Sequence, residues 1–194
     1  MVSNYGRNDI QRYIYLLMNF ENLDEILDKY AKYVVQQSKS NLTKDNKGGG
    51  ALYNSIDYKI EQEANLFLLD FLMEGYGAFV DKGVKGKTST YPQTAAALSD
   101  FKYGSGTGPK GGLTKGINKW LRQKQFQWND KKTGRFLSYE AMSFIISRSI
   151  YNKGLKANLF FTKPFEAGLK RLPDDMLKAF SLDIENAIIL GTKK

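Results

Sequence analysis

The apolar positions of this chain change period along its length, and each change marks an element. Leu23, Ile26, Leu27, Tyr30, Ala31 and Val34 recur at the spacing of one helical face, which predicts a helix over 23–39. Asn22 followed by Glu25 resembles a capping box at its start. Upstream, Ile10, Tyr13, Ile14 and Leu17 fit helical spacing, while the β-rich composition of 12–20 fits a strand, and the pattern leaves both open. After Gly48, Gly49 and Gly50 the period falls to two. Ile56, Tyr58 and Ile60 alternate with Asp57, Lys59 and Glu61, the signature of a strand with one wet face. Residues 62–65 read as a turn, and 66–73 return as a strand apolar on both faces except at Asp70. Such a strand is expected to lie centrally in a sheet or beneath a helix.

The second half is helical. Leu113, Ile117, Trp120 and Leu121 predict a short amphipathic helix beginning near Thr114, with Trp120 on its apolar face and so in the core. Ser138 is placed to cap a second helix carrying Met142, Ile145, Ile146 and Ile150, and Gly154 to end it in a left-handed conformation. The phenylalanines and proline of 155–165 suggest a docked turn. Pro173 opens a last helix bearing Met176, Leu177, Phe180, Ile184, Ala187 and Ile188 before Gly191. No internal repeat is visible. The expected fold is α+β: a small antiparallel β-hairpin flanked by amphipathic helices.

A length of 194 residues predicts one domain over 1–194. The chain has no Cys and no His, which excludes disulfides, thiol nucleophiles, Ser-His-Asp triads and Cys/His zinc sites. No run of about 18 apolar residues could span a membrane, and the polar start, 1–12, does not resemble a signal; a soluble protein assembled in a cytoplasm is expected. Charge is distributed unevenly. Residues 82–135 hold 12 Lys and Arg against 2 Asp and Glu, whereas the other 140 hold 17 against 18, so the net +9 belongs to one segment. Of 18 glycines, 13 lie between Gly48 and Gly116, and 84–112 is expected to be a long projecting Gly/Lys-rich loop, a flexible arm.

The candidate chemistry is sparse. Gly86-Lys87-Thr88 matches the tail of a phosphate-binding loop, but Asp81 stands where a glycine is required and no βαβ unit surrounds it. Asp24, Glu25 and Asp28, like Asp174 and Asp175, fall in first helical turns where they complement the dipole. Glu61 and Glu63 lie at the hairpin turn and are expected to be solvated. No acid cluster asks for a catalytic or metal role, and neither enzyme activity nor a cofactor is expected. The basic segment remains: Lys82, Lys85, Lys87, Lys102, Lys110, Lys115, Lys119, Arg122, Lys124, Lys131, Lys132 and Arg135, interleaved near its end with Trp120, Phe126 and Trp128. It fits a sequence-independent nucleic-acid surface, an arm for an acidic protein partner, or simply a solvated face.

The order of segments adds a resemblance. Gly50-Ala-Leu-Tyr-Asn-Ser-Ile56, a hairpin, and Tyr76-Gly-Ala-Phe-Val-Asp-Lys-Gly83 are similar to the strand start and following turn of the head-tail joining, neck and tail-terminator proteins of tailed bacteriophages. Gly77, Asp81 and Val84 depart from the usual alanine, glutamate and threonine. Gly116-Ile-Asn-Lys-Trp-Leu-Arg-Gln-Lys124, Ile146-Ser-Arg-Ser-Ile-Tyr-Asn-Lys-Gly-Leu155 and the stretch Phe160-Phe-Thr-Lys-Pro-Phe165 follow in the family's order. The resemblance implies a non-enzymatic virion protein at the head-tail junction or tail, forming a homo-oligomeric ring. Its partners would be portal, adaptor or tail proteins, and the basic arm would order against neighbouring subunits or face DNA threading the ring.

Overall fold

The computed structural model describes residues 20–63, 66–88, 99–104 and 111–192. The fold is α+β, with helices α1 (Glu21–Lys44), α2 (Ala51–Ser55), α3 (Gly77–Lys82), α4 (Gly112–Lys124), α5 (Tyr139–Lys153), α6 (Thr162–Leu169) and α7 (Leu172–Thr192). Among the described residues four strands accompany them: β1 (Asp57–Glu63), β2 (Leu66–Leu72), β3 (Val84–Lys85) and β4 (Gly154–Leu155). The length predicts one domain; the backbone is organised as two compact units, Met1–Gly75 with Phe160–Lys194, and Tyr76–Leu159.

The first unit is built on α1. Its periodic face, Leu23, Leu27, Tyr30, Ala31, Val34 and, one and two turns further on, Ser38 and Leu42, is buried. β1 and β2 pair antiparallel, Tyr58 opposite Phe71 and Ile60 opposite Leu69, and the sheet rests this face on α1. Phe71 meets Tyr30, Phe161 and Phe165 edge-on, with ring centres 6.1, 5.3 and 6.0 Å away, an arrangement that the ring quadrupoles favour. α6 approaches so closely that a Cβ on Gly168 would lie 2.6 Å from the Tyr30 ring, so only glycine fits there.

Several expectations for this unit are corrected. α1 starts at Glu21 with Phe20 at the N-cap and no side-chain cap of its own, so the capping box does not form. The exposed amides are met instead by Asp183 of α7. Its buried carboxylate accepts from the backbone N–H of Asn22 at 3.1 Å and of Leu23 at 3.0 Å, and from Asn22 Nδ2 at 2.7 Å. The 51–56 stretch begins as a helical turn and becomes a strand only after Ile56. β2 is not central: among the described residues β1 is its only strand partner; of the two expected positions it takes the one beneath helices, Phe71 packing on Tyr30 and Phe165, and its outward row is exposed. The 155–165 stretch turns at Phe160, which is fully buried, and then enters α6 rather than remaining a docked turn. The earlier segment 10–19 lies outside the described residues.

The second unit is held differently. β3 and β4 pair antiparallel, and Gly154 (φ 87°) ends α5 while packing so tightly that a Cβ there would lie 2.1 Å from the Val84 carbonyl oxygen. Ser138 caps α5 as expected, accepting from Ala141 N–H at 3.2 Å. Of the apolar positions expected on α5, Met142 is fully buried, Ile146 and Ile150 are half-buried and Ile145 is exposed, while Ser143 and Ser147 are also inside. The segment 76–83, expected as a turn, contains α3, and the Asp81 carbonyl accepts from the N–H groups of Asn158 and Leu159.

Candidate interaction surface

The roots of the basic segment are fixed by backbone hydrogen bonds. Lys85 N–H donates to Phe101 O at 2.8 Å, and Tyr103 N–H returns to Lys85 O at 2.9 Å. Val84 and Ser99 are buried, and the Ser99 hydroxyl donates to Gly83 O at 2.8 Å. The stretch expected as an arm, 84–112, is therefore tied down at its start and at 99–103; 89–98 and 105–110, and with them Lys110, lie outside the described residues. Within Gly86-Lys87-Thr88, the Lys87 and Thr88 amides donate to the carbonyls of Tyr151 and Asn152 at the end of α5. Those N–H groups are already engaged, which removes the means by which a phosphate-binding loop holds its ligand.

The candidate cations have different roles. Lys82, Lys102, Lys115, Lys119, Lys124, Lys131, Lys132 and Arg135 are exposed, and Lys85 is half-buried in β3. Lys87 stands 5.7 Å from the centre of the Tyr151 ring. Arg122 is committed inside its own unit. Its Nε donates to Asn118 at 2.8 Å, its terminal nitrogen pairs with Glu140, and its guanidinium lies 5.0 Å from the Tyr139 ring centre. The Glu140 carboxyl is held below its usual range, first by its own backbone N–H and further by Arg122. Arg122 thus clamps α4 to α5 and drops out of the open basic surface.

Between α4 and α5 the chain makes a tight basic hairpin. Leu137 N–H donates to Trp128 O at 2.9 Å, Asp130 N–H to Arg135 O at 2.8 Å, and Gly134 N–H to Asp130 O at 2.8 Å. The Asp130 carboxylate accepts from Lys132 N–H and from the Thr133 hydroxyl, which hold its carboxyl below the ordinary range. The only acid in this turn is thus occupied in shaping it, leaving Lys131, Lys132 and Arg135 at the tip.

Trp120 corrects the sequence expectation most sharply. It is 45% exposed, whereas its neighbour Leu121 is fully buried and serves as the anchor of α4. Trp120, Phe126 and Trp128 form an open aromatic cluster, with Phe126 centred 6.4 Å from Trp120 and 5.8 Å from Trp128. Lys124 stands one helical turn beyond Trp120.

A second open surface, which no single residue type in the sequence marks, lies in the first unit. Leu66, Leu68 and Leu72 project from the outer face of β2 and are 53%, 42% and 49% exposed. Asp70 shares their row, and Asp57, Lys59 and Glu61 lie opposite on β1. The signal was present in the sequence as the doubly apolar pattern of 66–73, which implies a covered second face without saying what covers it. α7 also leaves Leu177, Leu182, Ile188 and Leu190 exposed.

Among the described residues no three acidic side chains gather as a metal site, and no helix is long and apolar enough to cross a membrane. No protein-family model, curated protein or solved structure matches this chain.

Proposed function

We propose that this chain is a structural subunit of a tailed-bacteriophage head-tail connector, a neck, tail-terminator or tail-completion component that works as a homo-oligomeric ring. Its partners in that role are further copies of itself and the portal, adaptor or tail proteins of the virion. One observation carries the reading: large aliphatic side chains stand uncovered on both the sheet and α7 of the first unit. Contiguous exposed apolar surface marks sites of association. The motif order described from the sequence supplies the particular kind of assembly. Light-scattering mass with electron microscopy of the purified protein, alone and with a portal protein, tests it. Rings are expected; a chain that stays monomeric at all concentrations and enters no particle overturns it.

The exposure of Trp120, Phe126 and Trp128 beside Lys124, Lys131 and Lys132 favours a second reading, a sequence-independent nucleic-acid surface. It requires a gel shift that weakens steeply with salt, and no shift at low salt excludes it.

A further inference from the structure

The two units carry opposite charge. Tyr76–Leu159 holds 15 Lys and Arg against 4 Asp and Glu, a surplus of +11, and the remainder holds 14 against 16, or −2. Each also bears an open apolar surface rimmed by charge. The sheet has Leu66, Leu68 and Leu72 with Asp57, Glu61 and Asp70, three acids against the single cation Lys59, which pairs with Glu61; α4 and the basic hairpin have Trp120, Phe126 and Trp128 with Lys124, Lys131 and Lys132.

We infer that these surfaces are the two halves of one heterologous contact, the leucine face of one copy receiving the aromatic–basic face of the next. The inference rests on the ring reading and assigns its interface. Three features favour a second copy over a polynucleotide. The leucines need an apolar cover, which the aromatic rings supply and a phosphate backbone does not. Same-face side chains on a strand repeat at about 6.7 Å, so Leu66 and Leu68 stand about as far apart as neighbouring rings of the cluster, 5.8 and 6.4 Å. The rings meet one another at 80° and 44°, making a cluster rather than the parallel platforms on which successive bases stack. Head-to-tail contacts of this type use two different patches on every subunit, and rotation closes them into a ring.

The contact is tested by charge reversal on exposed positions. One variant carries Glu61→Lys and Asp70→Lys, a second carries Lys131→Glu and Lys132→Glu, and a third carries all four. Self-association is read by sedimentation and light scattering against protein and salt concentration. The wild type is expected to associate, less so as salt rises, and each two-site variant to associate on the order of tenfold to a hundredfold more weakly. Mixing the two variants, or making the fourfold one, restores association because opposite charges then meet again. Leu68→Ser reports on the same face should the reversed sheet fail to fold. A two-site variant that associates like the wild type overturns this interface and leaves the ring reading standing. A wild type that never associates removes both. Unchanged association with loss of a wild-type DNA gel shift in the Lys131→Glu/Lys132→Glu variant overturns the contact in favour of nucleic acid.

Discussion

The two units of this chain are stabilised by different means. Among the described residues the first buries ten apolar side chains, from Leu23 and Leu27 through Phe160 to Ala179, around a 24-residue helix. The second buries three, Val84, Leu121 and Met142, and relies on backbone hydrogen bonds between short segments: Lys85 with Phe101 and Tyr103, Lys87 with Tyr151, Asp81 with Asn158 and Leu159. Apolar burial is non-directional and tolerates adjustment, whereas a hydrogen-bonded framework depends on backbone geometry at individual positions. The difference also separates the charges. A unit with few buried residues can display cations at nearly every turn, and the +11 surplus lies there.

The contrast predicts where each unit breaks. The largest effect is expected from Gly154→Ala. The substitution forces a positive φ on a residue with a Cβ and drives that Cβ into Val84 O and Gly86 N, for a loss of about 3 kcal/mol or more. Hydrogen exchange should accelerate at the Lys85 and Lys87 amides while amides in the middle of α1, such as Val34, keep their protection. Equal acceleration in both would show that the units unfold as one. Next comes Asp183→Ala, which leaves the Asn22 and Leu23 amides without their acceptor and should cost about 2 kcal/mol in a denaturant melt. The smallest effect appears only in alkali. Burial pushes the Tyr30 phenol up to about 12 from its ordinary 10.0, and its hydroxyl donates to Phe165 O. The folded state favours the protonated form, so this stabilisation is complete below about pH 10 and is lost as pH rises through about 12. Tyr30→Phe should remove that part of the alkaline transition, as followed by circular dichroism against pH.

Much of the first unit was legible because its helix and strands repeat with clean periods. The face of α1 from Leu23 to Val34, the wet face of β1 and the Ser138 cap follow from local rules and hold in the structure. The errors share one cause, a residue whose environment is set by distant chain. Asp183 replaces the capping box from 160 residues away. Leu121 and Trp120 are adjacent and both apolar, and only the packing of α4 on α5 decides which is inside. Arg122 looks like any cation of the basic segment until Glu140 and Tyr139 are found around it. The candidate interface was half legible: its cations could be counted, but its aromatic cluster and the leucine row required exposure to be known.

By itself the sequence determined the α+β class, the segregation of charge into one stretch and the absence of thiol and imidazole chemistry. These depend on composition and on periods of a few residues, which act locally. Tertiary structure alone decided that the chain forms two units, that the Lys87 and Thr88 amides are spent on α5, and which apolar residues stay uncovered. Burial is a property of what lies on the far side of a side chain, and in this protein that neighbour is almost always remote in sequence.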